Sequence, residues 1–391
     1  MPRDNIVLGL SGYKIERIGG GNPVEISVRY MGTVSCPYCS SEDLRTKDRY
    51  VRRLRHQSFG MRSCVMYLEG RKYRCRRCGR YFNQRFPGIQ PRRRSTEVYR
   101  RQVFADHRDG ISSKTVAERE RIGSATVERW YHDLLGKKVS ELSGAPCPVE
   151  LGMDEHFFTR RRGYATTLCD LHNRRVYDVV LGRSEQSLEE FFSRLVGRER
   201  VRLVCIDLSA TYRSIVRRYF PRAKIVADRF HVIRLVNHHF LATWRDLDPV
   251  SSRNRGLLSL MRRHEDRLGE EQKARLASYF EEHPEIGAIW RVKHEMCGMF
   301  RRKTLCENTC RKLIPRLLDL LEQLRCCGLE NLTRLGNTLS EWIEEIVCMW
   351  RFTRNNGITE GFHNKMEMIT RRAYGFRNFE NYRLRVRALC C

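Results

Sequence analysis

Three acidic residues lie at the ends of predicted strands or at the start of a predicted helix. Carboxylates at such positions can converge on one site. Asp154 and Asp207 each follow a short apolar run, and Glu360 stands in the first turn of a C-terminal helix. Carboxylate oxygens are the ligands that the hard cations Mg²⁺ and Mn²⁺ prefer. A pair of such ions can activate an attacking oxygen and stabilise the leaving one in a phosphoryl displacement. The three acids therefore predict a metal site that acts on a phosphodiester.

The segment that carries Glu360 has the pattern of a helix with one apolar face. That face recurs at spacings of four, three and four residues and comprises Phe362, Met366, Ile369 and Ala373. Glu360 lies about 200° from Phe362 on a helix that turns roughly 100° per residue, so it points away from the core. Its face also carries Asn364, Glu367 and Arg371. The turn signal Asn355-Asn356-Gly357 precedes the helix, and a solvated acid at a helix N-terminus is the other interpretation of Glu360.

The residues before Asp154 and Asp207 must form strands if the two acids are to meet. Strands are predicted over residues 149–153, 164–169, 176–181, 201–206 and 224–227, and helices over 188–196 and 211–219. This order matches a ribonuclease-H-like domain, in which the first and fourth strands are neighbours. We therefore expect Asp154 and Asp207 to face each other at one sheet edge. Glu155 should point to the opposite face of its strand, so only one of the two adjacent acids can enter the site.

A long helical segment follows the fifth strand. From residue 235 to about 350 the pattern is helical, with Leu-rich and Arg/Glu-rich stretches. We predict that this all-α segment, residues 235–350, interrupts the core, whose first part is 149–234 and whose final helix, with Glu360, lies in 351–391. Asp228 can cap the helix that it precedes or support the metal site directly. His231 is either a proton carrier or phosphate contact, or a histidine that only supports packing.

Two CxxC pairs near the N-terminus provide a second kind of site. Their cysteines are Cys36, Cys39, Cys75 and Cys78. Four soft ligands suit tetrahedral zinc, and a site with all four positions filled is structural because none remains open for water. Cys64 lies between the pairs and offers a different ligand set. Residues 1–90 are therefore predicted to be a zinc ribbon with an N-terminal extension.

Residues 91–143 have the pattern of a helix-turn-helix domain. The first helix is predicted over residues 97–108, Ser112 can cap a second, and Ser124 can cap a third after a turn at Gly123. The outer face of the third helix would carry Thr126, Glu128, Arg129 and His132 and read a major groove. The run Arg92, Arg93 and Arg94 suits phosphates. An ordinary helical hairpin is the alternative.

The charge balance of the chain points to nucleic acid as its partner. The 391 residues include 74 Lys and Arg against 46 Asp and Glu, a net charge of +28 that is spread over the whole chain. The sequence contains no apolar run near the roughly 18 residues of a spanning helix, and the N-terminus does not resemble a signal peptide. We expect a soluble, intracellular protein that is α/β and multidomain: zinc ribbon, helix-turn-helix, then the interrupted ribonuclease-H-like catalytic core.

Six segments of the chain share the pattern of one protein family. They are Gly152-Met153-Asp154-Glu155, Arg162-Gly163-Tyr164-Ala165-Thr166, Ile206-Asp207-Leu208-Ser209, Asp228-Arg229-Phe230-His231-Val232, Asn356-Gly357-Ile358-Thr359-Glu360-Gly361 and Arg371-Arg372-Ala373-Tyr374-Gly375-Phe376. Together they resemble a DDE transposase of the bacterial insertion-sequence family usually called ISL-three. The zinc ribbon and helix-turn-helix also match that family, so the resemblance covers nearly the whole chain, and its C-terminal segment is the most specific part.

The resemblance implies an enzyme that binds the terminal inverted repeats of its element, cleaves DNA with Mg²⁺ or Mn²⁺ and joins the free 3′-OH to target DNA. The family's catalytic acids carry over onto Asp154, Asp207 and Glu360. Phosphate contacts beside the site would come from Arg371, Arg372 and Arg377. A homodimer or larger assembly on double-stranded DNA, in the bacterial cytoplasm at the nucleoid, is expected because two ends must be held together.

Two other functions fit parts of the sequence. A catalytically inert or domesticated DNA-binding protein would use only the N-terminal modules, but it would not need three acids. A general ribonuclease-H-type nuclease would use the core, but it leaves the long helical segment and the two N-terminal modules without a role.

Overall fold

The chain forms two units, and among the described residues each unit contains one β-sheet. The computed structural model describes residues 3–142, 146–352 and 357–390. The first unit comprises Met1–Lys138 with Arg372–Tyr374, and the second comprises Val139–Arg371 with Gly375–Cys391. No described helix combines the length and the apolar composition that crossing a bilayer requires.

A long hairpin dominates the sheet of the first unit. After α1 (Arg3–Leu8), the strands are β1 (Tyr13–Gly19), β2 (Val24–Tyr30), β3 (Leu44–Phe59), β4 (Arg62–Cys75) and β5 (Tyr81–Asn83). Their order is β1-β2-β4-β3, with β5 paired to β4. The hairpin of β3 and β4 explains the long separation of the two CxxC pairs, because Leu44 at the start of β3 pairs with Cys75 at the end of β4. Residues 1–90 also bury a core of their own, which includes Leu8, Ile26, Val28, Met66, Leu68 and Phe86, and the sequence analysis did not predict it.

Three helices follow in the first unit: α2 (Glu97–Arg108), α3 (Ser113–Glu120) and α4 (Ser124–Leu142). The predicted bounds of α2 and the Ser112 cap of α3 are confirmed, since the Ser112 hydroxyl accepts from the backbone N–H of Thr115. Ser124 is already helical, so its prediction as a cap was wrong by one position. The three helices enclose a small core in which Tyr99 packs edge-on against Trp130.

The sheet of the second unit contains β6 (Glu150–Thr159), β7 (Gly163–Asp170), β8 (Arg175–Leu181), β9 (Leu203–Ile206) and β10 (Lys224–Ala227), with α5 (Glu185–Ser193) and α6 (Ala210–Tyr219) between strands. The order is β10-β9-β6-β7-β8, with β6, β9 and β10 parallel and β7 and β8 antiparallel. The predicted neighbour relation of the first and fourth strands is confirmed. Several bounds were wrong: β6 continues beyond Asp154 to Thr159 because β7 pairs along it, β9 begins at Leu203 and not at residue 201, and α5 covers Glu185–Ser193 and not 188–196.

Helices make up the described remainder of the second unit. They are α7 (Arg229–Leu247), α8 (Arg255–Arg262), α9 (Glu270–Glu282), α10 (Pro284–Arg301), α11 (Glu307–Cys326), α12 (Glu330–Glu341), α13 (Ile343–Arg351), α14 (Gly357–Arg372) and α15 (Phe379–Leu389). One hydrophobic core runs from the sheet into these helices, and a second lies between α7, α8, α9 and α10.

The prediction of one final helix was wrong, because the chain has two. Positive φ angles at Tyr374 (54°) and Gly375 (90°) end the first, and the Asn378 side chain caps the second by accepting from the backbone N–H groups of Glu380 and Asn381. The second helix, α15, is fixed to β8 by a bidentate pair in which Arg383 donates to both oxygens of Asp178 at 2.7 and 2.8 Å.

Candidate active site, zinc site and nucleic-acid interface

An acidic cleft lies at one edge of the sheet in the second unit, and we call it the acid cleft. It has a volume of about 280 Å³ and is lined by Asp154, Glu155, Asp207, Asp228, Phe230, His231, Arg234, Glu360 and His363. The carboxyl ends of parallel strands meet at one edge, so Asp207 follows β9 and Asp228 follows β10 there. Asp154 lies on β6 just beyond Gly152, the last residue of that strand to pair with β9. The three acids predicted from the sequence thus line one cleft.

Two of these acids are placed where a carboxylate is costly without a cation. Asp154 is buried, and burial raises its pKa to about 7; nearby His231 opposes this rise, while Asp207 and Asp228 add to it. Burial also raises the pKa of Asp207. The Oδ1 atom of Asp207 is inaccessible to solvent and has no hydrogen-bond partner among the described residues. An oxygen-only set with an unpartnered buried carboxylate oxygen fits a hard divalent cation.

Glu360 reaches the acid cleft from the first turn of α14, where it is exposed. The apolar stripe predicted for this helix is confirmed at Met366 and Ile369, which are buried, while Phe362 packs partly buried against the same core. Residues 353–356 lie outside the described part of the chain, and with them Asn355 and Asn356 of the predicted turn. Glu367, two turns further along the helix, pairs with Arg371 at 2.6 Å and does not line the cleft.

Asp228 and His231 form a pair within the acid cleft. Asp228 is almost fully buried and caps α7, because its side chain accepts from the backbone N–H of Phe230 at 3.3 Å. Its other oxygen lies 2.7 Å from Nδ1 of His231. This hydrogen bond raises the pKa of His231, so the imidazole facing the three acids favours its charged form. The capping role predicted for Asp228 is confirmed.

Arg229 has a structural role that the sequence analysis missed. Its buried guanidinium donates to three backbone carbonyls: Phe300 at 2.8 Å, Arg302 at 3.2 Å and Met349 at 2.7 Å. These carbonyls lie at the C-terminal ends of α10 and α13, where backbone acceptors lack helical partners. Arg229 therefore fixes the start of α7, and with it Asp228 and His231, against two other helices.

Replacement of Arg229 by methionine is expected to destabilise the second unit by about 3 kcal/mol, because two buried carbonyls and one partly buried carbonyl lose their charged donor. Thermal or urea unfolding would measure this loss. Arg245→Met, at an exposed position on the same helix and outside the acid cleft, is the matched control and should change the unfolding free energy by less than about 0.5 kcal/mol. Equal stability of the two variants would show that the Arg229 hydrogen bonds do not fix the start of α7.

A chain of hydrogen bonds beside Asp154, from His363 to Tyr382, was also missed. His363 lies with Nδ1 3.9 Å from Asp154 Oδ2 and with Nε2 3.1 Å from the hydroxyl of Thr167. The same hydroxyl lies 2.9 Å from Nδ1 of His156, whose Nε2 is 2.7 Å from the Tyr382 hydroxyl. Burial lowers the pKa of His363 to about 4 and that of His156 to about 3, so both are neutral near pH 7. The chain links β6, β7, α14 and α15 behind the acid.

The expectation that Glu155 points away from the site was wrong. Strand alternation predicted that only one of the two adjacent acids could enter the site, yet both line the cleft. The Glu155 carboxylate lies 3.2 Å from Arg183, and the Arg183 guanidinium stacks 4.2 Å from the centre of the Tyr164 ring. Because its charge is already compensated, Glu155 is a weaker ligand candidate than Asp154 or Asp207.

The residues predicted to bind DNA lie outside the lining of the acid cleft. In the first unit, Arg92, Arg93, Arg94 and Arg129 are exposed, whereas Thr126 and His132 are half-buried. His132 lies 3.6 Å from Glu128, which also contacts His107 of α2 at 3.4 Å, so Glu128 faces the neighbouring helix rather than only solvent. In the C-terminal segment, Arg371, Arg372 and Arg377 are exposed, and Arg377 borders a separate pocket together with Arg162.

The four cysteines of the CxxC pairs converge as predicted. Their sulfur atoms all lie within 4.8 Å of one another, with Cys36 and Cys78 3.6 Å apart and Cys39 and Cys75 3.5 Å apart. A tetrahedral zinc ion with bonds of about 2.3 Å requires sulfur separations of about 3.8 Å. Backbone N–H groups, first that of Cys78 and also that of Arg77, lower the pKa of Cys75 to about 6. The cluster fits structural Zn²⁺, and Cys64 is excluded because it belongs to a different core.

Comparison with known proteins identifies each part of the chain separately. Residues 151–386 match a family described as transposase, of the DDE type in the ISL3 group. Residues 84–135 match the helix-turn-helix domain of transposase family ISL3, and residues 32–78 match the zinc-finger of transposases of IS204, IS1001, IS1096 and IS1165. The transposase for insertion sequence element IS1001 of Bordetella parapertussis is 24% identical over 97% of this chain and 96% of its own length.

Proposed function

The chain belongs to the ISL3 family of insertion-sequence transposases, and from this premise we propose that it cleaves and joins DNA strands at a site where Asp154, Asp207 and Glu360 would hold two divalent cations. The observation that carries the proposal is the convergence of these three acids in one cleft, where Asp154 is buried and the half-buried Asp207 has an inaccessible oxygen without a hydrogen-bond partner among the described residues. An inert DNA-binding protein would gain nothing from such a cleft, since uncompensated buried carboxylates only destabilise the fold.

We further propose that the second unit is a ribonuclease-H-like core, residues 149–234 and 351–391, interrupted by a helical domain at 235–350. The strand order β10-β9-β6-β7-β8, with only β7 and β8 antiparallel, supports this assignment. In the first unit, the zinc ribbon of residues 1–90 and the helix-turn-helix of residues 91–143 would bind the terminal inverted repeats. Arg129, exposed on α4, would then contact DNA, and the exposed run Arg92–Arg94 would neutralise phosphates.

The proposed reaction has two displacements at phosphorus. A water oxygen attacks the phosphate at the element's end, the bond to the 3′ oxygen breaks, and a 3′-OH and a 5′-phosphate result. That 3′-OH then attacks a phosphodiester of the target, forming one bond as another breaks. The cations, Mg²⁺ or Mn²⁺, would lower the pKa of the attacking group and stabilise charge on the leaving oxygen.

The protein's own groups would hold the reacting atoms in place. Asp154 and Asp207 are rigid because they lie on or directly after central strands, whereas Glu360 approaches from a helix that follows the helical segment. His231, whose pKa is raised by the hydrogen bond to Asp228, would face the phosphate oxygens. His363 is held by the hydroxyl of Thr167 and would place a neutral ring 3.9 Å from Asp154.

The experiment that tests the proposal is excision of a marker placed between the DNA segments that flank the gene. Wild-type protein should excise the marker in cells, and purified protein should release a 3′-OH at the end of the element only with Mg²⁺ or Mn²⁺. Specific binding to the flanking segments without any cleavage, despite intact inverted repeats, would overturn the proposal in favour of an inert DNA-binding protein.

The stability of the metal-free protein should depend on pH through the acid cleft. Burial raises the pKa of Asp154 to about 7, above its unfolded value near 3.9, so the native state binds the additional proton. This contribution to stability is present below pH 4 and is lost as the pH rises through 7. Mg²⁺ should restore it, so the rise in Tm caused by Mg²⁺ should be larger at pH 8 than at pH 5.5.

Calorimetry of the zinc-loaded protein would measure this difference. In Asp154→Asn the group no longer ionises, so the Mg²⁺ effect should be small at both pH values. An equal rise in Tm in the wild type and the variant would show that Mg²⁺ acts elsewhere.

A further inference from the structure

A second cleft in the second unit has five arginines among its eight lining residues, and we call it the arginine cleft. It has a volume of about 480 Å³ and is formed by Arg255, Leu258, Ser259, Arg262, Arg263, His264, Arg267 and Arg301. Its residues come from α8, from the turn that follows it and from the end of α10. All five arginines are exposed, and none of them forms an ion pair within the described residues.

The five arginines of this cleft share one concave surface that has no acid in its lining. Other arginines of the unit pair with acids, as Arg316 does with Glu295 at 2.6 Å. Two acids are close in sequence, but Asp266 contacts His264 at 2.9 Å, and neither it nor Glu265 lines the cleft. Five guanidinium groups around one concave surface repel each other, so the arrangement raises the local positive potential and favours a polyanion.

Helix dipoles explain only part of this cluster. Arg262 and Arg301 stand in the last turns of α8 and α10, where the C-terminal carbonyls favour cations. Arg255 stands in the first turn of α8, where the dipole disfavours a positive charge. The placement of Arg255 beside the others is therefore unfavourable in the free protein and needs an anionic ligand to compensate.

Two buried side chains fix the backbone that presents the arginines. Lys293 of α10 is only 4% exposed, and its ammonium donates to the carbonyl of Met261 at 2.6 Å. His294, also buried, has Nε2 3.3 Å from the carbonyl of Arg263. The segment that carries Arg262 and Arg263 is thus held at both ends of the turn. A rigid display of guanidinium groups loses less entropy on binding than mobile surface side chains do.

We propose that the arginine cleft binds backbone phosphates of the transposon-end duplex whose scissile phosphate lies in the acid cleft. Planar guanidinium groups suit phosphate oxygens, and five of them line this cleft. The helix α7 begins at the acid cleft and packs against α8 through Phe240, Trp244 and Leu257. Arg301 of the arginine cleft lies between Phe300 and Arg302, whose carbonyls accept from Arg229 at the start of α7, next to the acid cleft. The inference rests on the proposed function, which fixes where the duplex is cut.

The test compares two triple variants in full-length protein carrying Asp207→Asn, which prevents cleavage during the measurement. The test variant combines Arg262→Gln, Arg263→Gln and Arg267→Gln. The control combines Arg200→Gln, Arg202→Gln and Arg222→Gln, three exposed arginines near the starts of β9 and β10, at the sheet edge opposite the acid cleft. Both variants lose the same charge, so a difference between them reports on position and not on net charge.

The probe is a duplex that contains the element's end and its flank, and its Kd is measured from low to moderate salt. The test variant should bind about 10- to 100-fold more weakly, and the slope of log Kd against log salt should fall by about one for each lost contact. The control variant should match its parent in both quantities. Arg255→Gln alone, a milder change at an exposed position, should show a smaller loss in the same direction.

Three outcomes would overturn the inference. The first is an unchanged Kd and salt slope in the test variant, and the second is an equal loss in the control variant. The third is weaker binding of a target duplex by the test variant with unchanged binding of the element's end, which would assign the cleft to the target duplex. Because these readouts measure binding, they remain informative if the wild type proves unable to cleave, and that failure would refute only the proposed function.

Discussion

Replacement of Asp207 by asparagine should lower the rate of strand cleavage by at least about a thousandfold and leave binding of the element's end nearly unchanged. An amide cannot supply the negative oxygen that the cation needs, so several kcal/mol of transition-state stabilisation are lost. The fold should survive, because Asp207 Oδ1 has no hydrogen-bond partner among the described residues and burial already raises the pKa of this acid.

Glu360→Gln should abolish cleavage in the same way, and the chain offers a closely matched control. Glu367→Gln changes an acid on the same face of α14 that pairs with Arg371 outside the acid cleft. Excision in cells and 3′-OH release in vitro would be measured for Asp154→Asn, Asp207→Asn, Glu360→Gln and Glu367→Gln, with gel-shift affinity for the end as the common reference. Only Glu367→Gln should retain cleavage.

Asp228→Asn decides between two roles for the fourth acid in the cleft. An asparagine oxygen can still accept from the backbone N–H of Phe230, so the cap of α7 would remain. If Asp228 only holds His231, cleavage should fall by about 10- to 100-fold; if Asp228 holds a cation, it should be lost as in Asp207→Asn. Full loss in Asp228→Asn together with activity in Glu360→Gln would show that the third catalytic acid was assigned wrongly.

The acids that converge were predictable because local patterns placed them. Asp207 follows a continuous apolar run, Asp228 ends the next strand, and Glu360 stands opposite a clear apolar stripe. Each of these is a signal within about ten residues. The neighbour relation of β6 and β9 followed from the order of elements, and that order was correct even where the bounds of β6 and α5 were not.

The supporting groups were not predictable because their partners are distant in sequence. Arg229 contacts carbonyls of Phe300 and Met349, and Tyr382 reaches His156 across the sheet. No local pattern marks an arginine that binds helix ends in another segment. His363 is the exception, since it lies three residues after Glu360 and therefore on the same side of the helix. That spacing was available in the sequence and would have identified it.

The N-terminal core and α15 were missed for different physical reasons. The core of residues 1–90 depends on pairing between β2 and β4, which are far apart in the chain, so short apolar runs such as 24–28 gave no clear signal alone. The helix α15 has a local signature, namely the Asn378 cap followed by buried Phe379, Tyr382 and Val386 at spacings of three and four. Its separation from α14 depends on the positive φ angles at Tyr374 and Gly375.

Replacement of Cys75 by serine should remove the zinc and weaken specific binding of the element's end by about a hundredfold or more. Zinc binding contributes roughly 10–16 kcal/mol to the folding of small Cys-rich sites, and the core around this cluster is small. Cys75 also ends β4 and pairs with Leu44, so its loss should separate the ends of the long hairpin. The second unit has its own core, and its unfolding transition should therefore remain.

Cys64→Ala is the control that tests the ligand set itself. Cys64 is buried in the sheet core of the first unit, outside the four-sulfur cluster, so its loss should cost about 1–2 kcal/mol of stability but no metal. Metal content by mass spectrometry and end affinity would be measured for both variants and for Cys36→Ser. Retained zinc in Cys75→Ser together with zinc loss in Cys64→Ala would refute the assignment. Zinc loss with unchanged end affinity would show instead that the ribbon does not take part in recognising the end.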